Sequence, residues 1–388
     1  MNFDLTEEQQ MLQDSVRRYV ERTYTFDARA RLVESGGGFS RETWKTLADM
    51  GWLMSPIPEQ YGGMGFSAVE TALIAEELGR GLVLEPYALC GVLPAAIVHR
   101  CGAEPQKEAL LTGIGNGERL LAVAHSEPEA RGCVSHVSAA AKRQADGRYV
   151  LHGRKSLVVG APVADWILVV ARSAGDVRDE DGICVFLLDP KSSGVRLEAC
   201  RLFDGTPAAD LVLEDVTVPS SALLGEEGQA FEGLQQSVDE AIVSLCAETV
   251  GGMEDVIALC SDYLKTRQQF GVAIGTFQAL QHRMADMAME LMQARATLHR
   301  GLAALEGPAT RDRSAVISGC KAQVTRSARF VTTQGIQLHG GYGITEEYRV
   351  GHHYRRLILT DAWFGNLDYH LGRYAAHIQA EARALSAA

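Results

Sequence analysis

The 388 residues carry 37 Lys and Arg against 49 Asp and Glu, a net charge of −12, with 46% hydrophobic residues, 39 glycines and 11 prolines. That is enough for two or three domains of roughly 150 residues with real apolar cores, so a disordered or collagen-like chain is excluded. The acid excess argues against a nucleic-acid surface, which needs Lys and Arg to neutralise phosphates, and no apolar run approaches the roughly 18 residues of a membrane span.

The opening Met1-Asn-Phe-Asp-Leu-Thr-Glu-Glu8 is acidic where a signal or transit peptide is basic. The eight cysteines are scattered without a Cys-x-x-Cys pair. A soluble, cytoplasmic chain with reduced thiols and no metal is expected. Apolar residues at three- and four-residue spacing predict helices from Leu5 to Tyr19, Trp44 to Leu53 and Val69 to Leu78. Thr6 opens the first, with Glu7 and Glu8 near the positive end of its dipole. Pro56-Ile-Pro-Glu-Gln-Tyr-Gly-Gly-Met-Gly65 reads as an ordered turn.

From about Leu120 the period changes to two. Leu121 to Ala124, Tyr149 to His152, Trp166 to Val170, Ile183 to Leu188 and Leu211 to Val218 are predicted strands. Turns such as Asp146-Gly147 and Asp181-Gly182 leave no room for crossover helices, so an antiparallel barrel or sandwich is expected. After Pro219 the helical period returns in Phe231 to Gln268, Gln278 to Leu305, Arg313 to Leu338 and Asp368 to Leu385, enough for a four-helix bundle. The expected chain is therefore α+β and multidomain: an N-terminal α domain (1–118), a middle antiparallel β domain (119–223) and a C-terminal four-helix domain (224–388). Met284, Met287, Met289 and Met292 are expected in the bundle core. No Gly-x-Ser-x-Gly elbow supports a Ser/His/Asp hydrolase.

Four stretches in this order resemble the acyl-CoA dehydrogenase flavoprotein family. They are Pro58 to Gly65; Leu213-Glu-Asp-Val-Thr-Val-Pro219 with Leu224-Gly225; Arg267-Gln-Gln-Phe-Gly271 with Phe277-Gln278 and Ala285-Asp286-Met287; and Gln337-Leu-His-Gly-Gly-Tyr-Gly343. The resemblance implies FAD as cofactor. It assigns Arg267, Phe270 and Gln278 of one subunit, and Gln337 with Gly340 and Gly341 of a neighbour, to the adenosine and pyrophosphate half. An arginine can pair bidentately with a pyrophosphate, and glycines let backbone amides come close to it. The resemblance further implies tetramers built through the last domain and oxidation of an acyl-CoA across Cα and Cβ to the 2,3-enoyl-CoA. A carboxylate base would take the Cα proton, and an electron-transfer flavoprotein would receive the electrons.

The sequence departs from that pattern at the reacting end. The Glu of many members falls here on Phe364, and the alternative base position falls on Ala241, followed by Ile242 where an Arg is usual. No catalytic residue is assigned. Asp239 and Glu240 are the substrate-side candidates, although Glu240 is offset by one residue, about 100° around a helix; both also read as helix N-terminal acids. Lys155-Ser-Leu-Val-Val-Gly160 stands where many members read Trp-Ile-Thr or Trp-Ile-Ser beside the isoalloxazine. His125-Ser-Glu-Pro128 keeps a family turn in which Ser126 is the flavin contact, while Glu129-Ala-Arg-Gly-Cys133 replaces the glycine-rich continuation.

His352-His353 with Arg355 and Arg356 is a basic cluster, read either as recognition of a CoA phosphate or acyl carboxylate or as salt bridges; it lacks metal spacing. Asp361 to His370, the opening Met1 to Gln10 and Gln278 to Arg283 are similar to small subunits of pimeloyl-CoA dehydrogenase-like enzymes. Three roles stay open: acyl-CoA oxidation in a homo- or heterotetramer with a second acyl-CoA dehydrogenase-like subunit, a non-catalytic subunit completing a partner's FAD site, or a flavin-dependent oxidase or monooxygenase.

Overall fold

The computed structural model describes residues 4–387; Met1 to Phe3 of the acidic opening segment lie outside the described residues. In chain order the helices are α1 (Glu7–Arg22), α2 (Phe26–Glu34), α3 (Arg41–Asp49), α4 (Ala68–Arg80), α5 (Leu93–Cys101) and α6 (Glu104–Gly115). The strands β1 (Leu121–Ala124), β2 (Ala140–Arg143), β3 (Tyr149–Val159), β4 (Trp166–Arg172), β5 (Ile183–Leu188), β6 (Val195–Arg201) and β7 (Pro207–Val218) follow. Then come α7 (Phe231–Thr266), a short hairpin of β8 (Gln268–Gln269) and β9 (Val272–Ala273), α8 (Gln278–Glu306), α9 (Arg311–His339), α10 (Val350–Ala362) and α11 (Leu367–Ala387). The chain thus runs helical, then β, then helical, as expected.

By compactness the chain forms two units. One gathers the segment up to Ala30, Ala72–Val83 and the chain from Ile242 onward; the other comprises Arg31–Thr71 and Leu84–Ala241. The N-terminal helices are therefore shared between the two.

In the first unit α1 starts as its sequence dictates: Thr6 accepts from the Gln9 amide at 3.2 Å while Gln9 Oε1 accepts from the Thr6 amide at 3.0 Å, a reciprocal cap. Helices α4 and α7 meet backbone to backbone through glycines, since a Cβ at Gly79 would lie 2.0 Å from the Glu248 carbonyl oxygen and one at Gly251 1.8 Å from that of Glu76. The C-terminal region also contains α10, which was not among the four predicted helices. Met287 is fully buried as expected, but Met289 and Met292 are exposed, so the methionine run is only partly core.

The second unit contains the sheet, in the order β1-β4-β2-β3-β7-β6, with β5 paired to β4. Most neighbours are antiparallel, but β1 runs parallel to β4 from Leu121↔Trp166 to Ala124↔Val169, so the expected purely antiparallel domain is a mixed sheet. Ile167 to Ala171 show why: they form a continuous run with no exposed residue, the pattern of a strand covered on both faces rather than an alternating one. The core packs Phe186, Tyr149, Leu151 and Leu211 between the strands. Strand β6, also unforeseen, is an exposed edge.

Candidate functional site

Helix α7 ends where the Arg267 amide still bonds the Tyr263 carbonyl at 2.8 Å, and the chain enters the β8–β9 hairpin. Its two-residue connection is Phe270-Gly271. Such a connection matches the twist of its strands when both central residues take positive φ, and here they are 54° and 83°. Glycine does this freely. Phe270 does so at a cost while 92% exposed, its ring meeting Phe277 edge-on at 6.2 Å.

From the other direction α9 stops at His339 because Gly340 adopts φ 60°, ψ −139°. A Cβ at Gly271, Gly340 or Gly341 would meet nothing within 4 Å, so these backbones face open space. Between them lies a cleft of about 780 Å³ lined by Arg267, Arg283, Gln337, Gly340 and Gly341, with Tyr263, His339 and Tyr342 also on its wall. Arg283 donates to Gln334 at 2.6 Å; among the described residues the Arg267 guanidinium has no ion-pair partner. The His339 Nδ1 donates to the Gly335 carbonyl (2.8 Å) and its Nε2 accepts from the Tyr348 hydroxyl (3.0 Å), while burial lowers its pKa and keeps the ring neutral.

Two guanidiniums, open glycine amides, a stacked Tyr263–Tyr342 pair at 6.2 Å and no lining carboxylate suit a flat ring joined to a pyrophosphate. The adenosine half of FAD has that chemistry, so the residues present fit it. Arg267 and the Gln337–Gly341 group, divided by the resemblance between two subunits, line one cleft of one chain. Phe270 stands at the hairpin tip and Gln278 at the start of α8, outside the lining. His339 lies inside the Gln337–Gly341 segment that the resemblance assigns to the adenosine half, whereas Tyr263 and Arg283 received no role from the sequence; the Gln278 to Arg283 similarity was the available signal for Arg283.

The expected base positions hold no carboxylate. Phe364 lies in the turn after α10, 9% exposed, with φ 57°. Beneath it the fully buried Lys321 donates to the carbonyls of Thr360 (2.7 Å) and Trp363, capping the end of α10. Burial pulls the Lys321 pKa down to about 8. It also pulls His370 down to about 3, with the Lys321 charge adding to the effect. Ala241 and Ile242 are buried in α7. Asp239 is buried and accepts from Gln235 at 3.0 Å; Glu240 is ion-paired with Arg100. Both sit in the third turn of α7, beyond the first-turn reach of the helix dipole, so that explanation of the acids fails.

The basic cluster of α10 is committed within its own chain. Arg356 pairs with Glu248 (2.7 Å), Arg355 with Glu346, and His353 donates to Asp255 (2.9 Å). His352 Nδ1 accepts from Arg29 (3.2 Å). These are internal salt bridges and hydrogen bonds, which removes the phosphate-recognition reading.

In the β unit Ser126 is exposed, and its carbonyl accepts from the Ser156 amide at 2.8 Å. The residue after it, Glu127, is buried and ion-paired with Lys155 at 2.6 Å. Leu157, within the run that stands where many members carry the indole, is 51% exposed with φ 50° and its amide on Asp210 Oδ1 at 2.8 Å.

The acyl-CoA dehydrogenase N-terminal, middle and C-terminal domain families match residues 6–118, 122–216 and 231–379. The chain is 31% identical to mitochondrial isovaleryl-CoA dehydrogenase of Pongo abelii over 378 residues, 94% of this chain and 87% of that one. It belongs to the acyl-CoA dehydrogenase family. Among solved structures, butyryl-CoA dehydrogenase from Megasphaera elsdenii superposes with a TM-score of 0.89 at 27% identity, covering 98% of this chain and 100% of that one. The FAD complex of PigA gives 0.90 at 27% identity, covering 98% and 99%. The family is one of FAD-containing oxidoreductases.

Proposed function

We propose that this chain takes part in FAD-dependent oxidation of an acyl-CoA thioester to the 2,3-enoyl-CoA as one subunit of an assembly. A second, acyl-CoA dehydrogenase-like chain would supply the carboxylate base. One observation carries the reading: the adenosine-side cleft is built, while both base positions are filled by buried apolar side chains, Phe364 and Ala241. Glu240 is no substitute, because its carboxylate already accepts from Arg100.

Arg267, Arg283, Gln337 and the Gly340-Gly341 backbone of one unit hold the adenosine and pyrophosphate half, and Ser126, in the other unit, is the residue assigned to a flavin ring. FAD, when bound, supplies the hydride acceptor for the substrate Cβ. Arg267 and Arg283 offset the phosphate charge, and the aromatic wall keeps water from one side of the adenine. Helix α8 carries an exposed apolar stripe of Ala285, Met289, Met292 and Ala296 at helical spacing, which supports assembly through this region. Electrons pass to an electron-transfer flavoprotein in this reading. Five of the eight cysteines are buried free thiols, in keeping with a reducing, cytoplasmic setting.

The test is flavin uptake by the purified chain, followed by anaerobic addition of short-, medium- and long-chain acyl-CoA thioesters. The chain alone is expected to bind FAD without bleaching of the flavin band, and bleaching is expected when a second family chain is co-expressed with it. Bleaching by the chain alone overturns the need for a partner; no FAD uptake overturns the cofactor role. Arg267→Ala is expected to weaken FAD binding about tenfold, by loss of a charge-assisted contact to phosphate.

A further inference from the structure

We infer that the buried Lys155–Glu127 ion pair is the device that positions the Ser126 loop for the flavin ring, an inference that rests on the FAD reading above. Both side chains are fully buried, and nitrogen and oxygen lie 2.6 Å apart. Removing two opposite charges from water is costly, and a well-packed apolar pair in the same place is commonly as stable, so such a pair is weak evidence for a stabilising role. Its partners point elsewhere.

Lys155 Nζ also donates to the His125 carbonyl at 3.2 Å. Glu127 accepts from the Ser138 hydroxyl, from the Ser138 amide at 2.8 Å and from the Ala139 amide at 3.0 Å. The residue before Ser126 is thus held by its carbonyl and the residue after it by its carboxylate, while the Ser156 amide holds Ser126's own carbonyl. The chain is pinned on both sides of a serine whose side chain is left at the surface. Farther along, Arg172 donates to the carbonyls of Ser135 (3.0 Å) and Val137 (3.1 Å), fixing the loop's return.

The strand bearing Lys155 is distorted to the same end. In a regular strand, residues two apart share a face. Here Lys155 is fully buried and Leu157 is 51% exposed, and the switch falls at the bulge between Lys155 and Val158 against β7. Leu157 bears the positive φ this requires, with its amide tied to Asp210. The bulge sends the ammonium under the Ser126 loop and a side chain outward beside it. Burial lowers the Lys155 pKa, opposed by Glu127. For Glu127, burial acts upward, but Lys155, Ser138 and the Ala139 amide outweigh it and keep the carboxyl below its usual range.

The experiment compares FAD binding by the full chain with that of Lys155→Met, Glu127→Gln and the double variant. Val216→Ala, a core truncation in the same sheet away from the loop, is the stability control. All measurements are made well below each protein's melting temperature. Lys155→Met strands a buried carboxylate and so puts folding at risk; the double variant removes both charges and keeps the test valid.

The double variant is expected to bind FAD at least tenfold more weakly than the parent. Its bound-flavin spectrum and midpoint potential should shift towards those of free FAD, while Val216→Ala keeps the parental values whatever its melting temperature. A folded double variant with parental affinity, spectrum and potential overturns the inference and leaves the FAD reading standing. A parent chain that takes up no FAD overturns the reading beneath it as well.

Discussion

Phe270 and Phe364 carry the same backbone anomaly, φ 54° and 57°, each followed by a glycine at positive φ, 83° and 104°. Holding an L-residue there costs about 1–2 kcal/mol. The two turns offset that cost differently. Phe364 is 9% exposed and recovers it by burying its ring, with Lys321 capping the helix in front of it. Phe270 is 92% exposed and recovers nothing comparable from its own chain. One turn is strained for the sake of the fold; the other is strained against it, beside an open cleft, as a surface built for a ligand would be. The same contrast separates the two ends of the proposed chemistry. Where a base would be needed, the chain has invested in packing, and where an adenosine would bind, it has left a strained aromatic in solvent.

Truncating the two rings separates the two turns most strongly. Phe364→Ala is expected to cost about 3 kcal/mol in urea unfolding, with an unchanged denaturant slope, because a buried phenyl leaves a cavity. Phe270→Ala is expected to leave the midpoint within about 0.5 kcal/mol of the parent, as an exposed ring carries little stability. Equal losses at the two sites would end the distinction.

A smaller effect comes from the histidine under the buried turn. His370 is fully buried, and its pKa is lowered to about 3 by burial, then by Lys321 and Arg373, which the Phe364 and Gly365 backbone opposes only in part. Unfolded, the ring takes a proton near its ordinary pKa of about 6.5. Above that pH neither state is protonated. As pH falls below it the unfolded state gains a proton that the folded state refuses, so stability drops by about 2 kcal/mol between pH 7 and pH 5 from this group. His125, lowered to about 4 by burial and the Lys155 charge, gives a parallel slope. Melting curves of His370→Gln over that range are therefore expected to show a shallower pH dependence than the parent's; an unchanged slope would mean that His370 does not titrate between the two states.

How much of this could be read beforehand follows the same division. The long helices were legible because their apolar faces repeat at helical spacing, and the Arg267 and Gln337 motifs because several residue types recur in a fixed order. Helix α10 was not legible: its buried residues include His352, His353 and Arg356, polar groups satisfied by partners far along the chain. Strand β6 was missed because an exposed edge loses the alternation that marks a half-buried strand. Glu127 and Lys155 were both visible as residues, but 28 positions separate them, and only the fold reveals that they share a buried bond. The parallel β1–β4 pairing was hidden for a related reason, since a fully apolar strand carries no mark of its direction.

The mildest substitution is also the most discriminating at the cleft. Asn enters the left-handed region far more readily than a bulky aromatic. Phe270→Asn should therefore relieve the hairpin and raise stability by about 0.5 kcal/mol. If the exposed ring were a surface accident, that gain would come free. If the strain is kept for the cofactor, the same variant loses FAD several-fold faster than the parent while melting slightly higher. Stability and retention then move in opposite directions, a pairing that damage to the fold cannot produce. Dilution of FAD-loaded protein, followed by the return of flavin fluorescence, measures the retention, and a matched thermal melt measures the stability. A variant that melts higher and holds FAD as the parent does would place Phe270 outside the binding surface and leave Arg267 and the Gly340-Gly341 backbone to carry it.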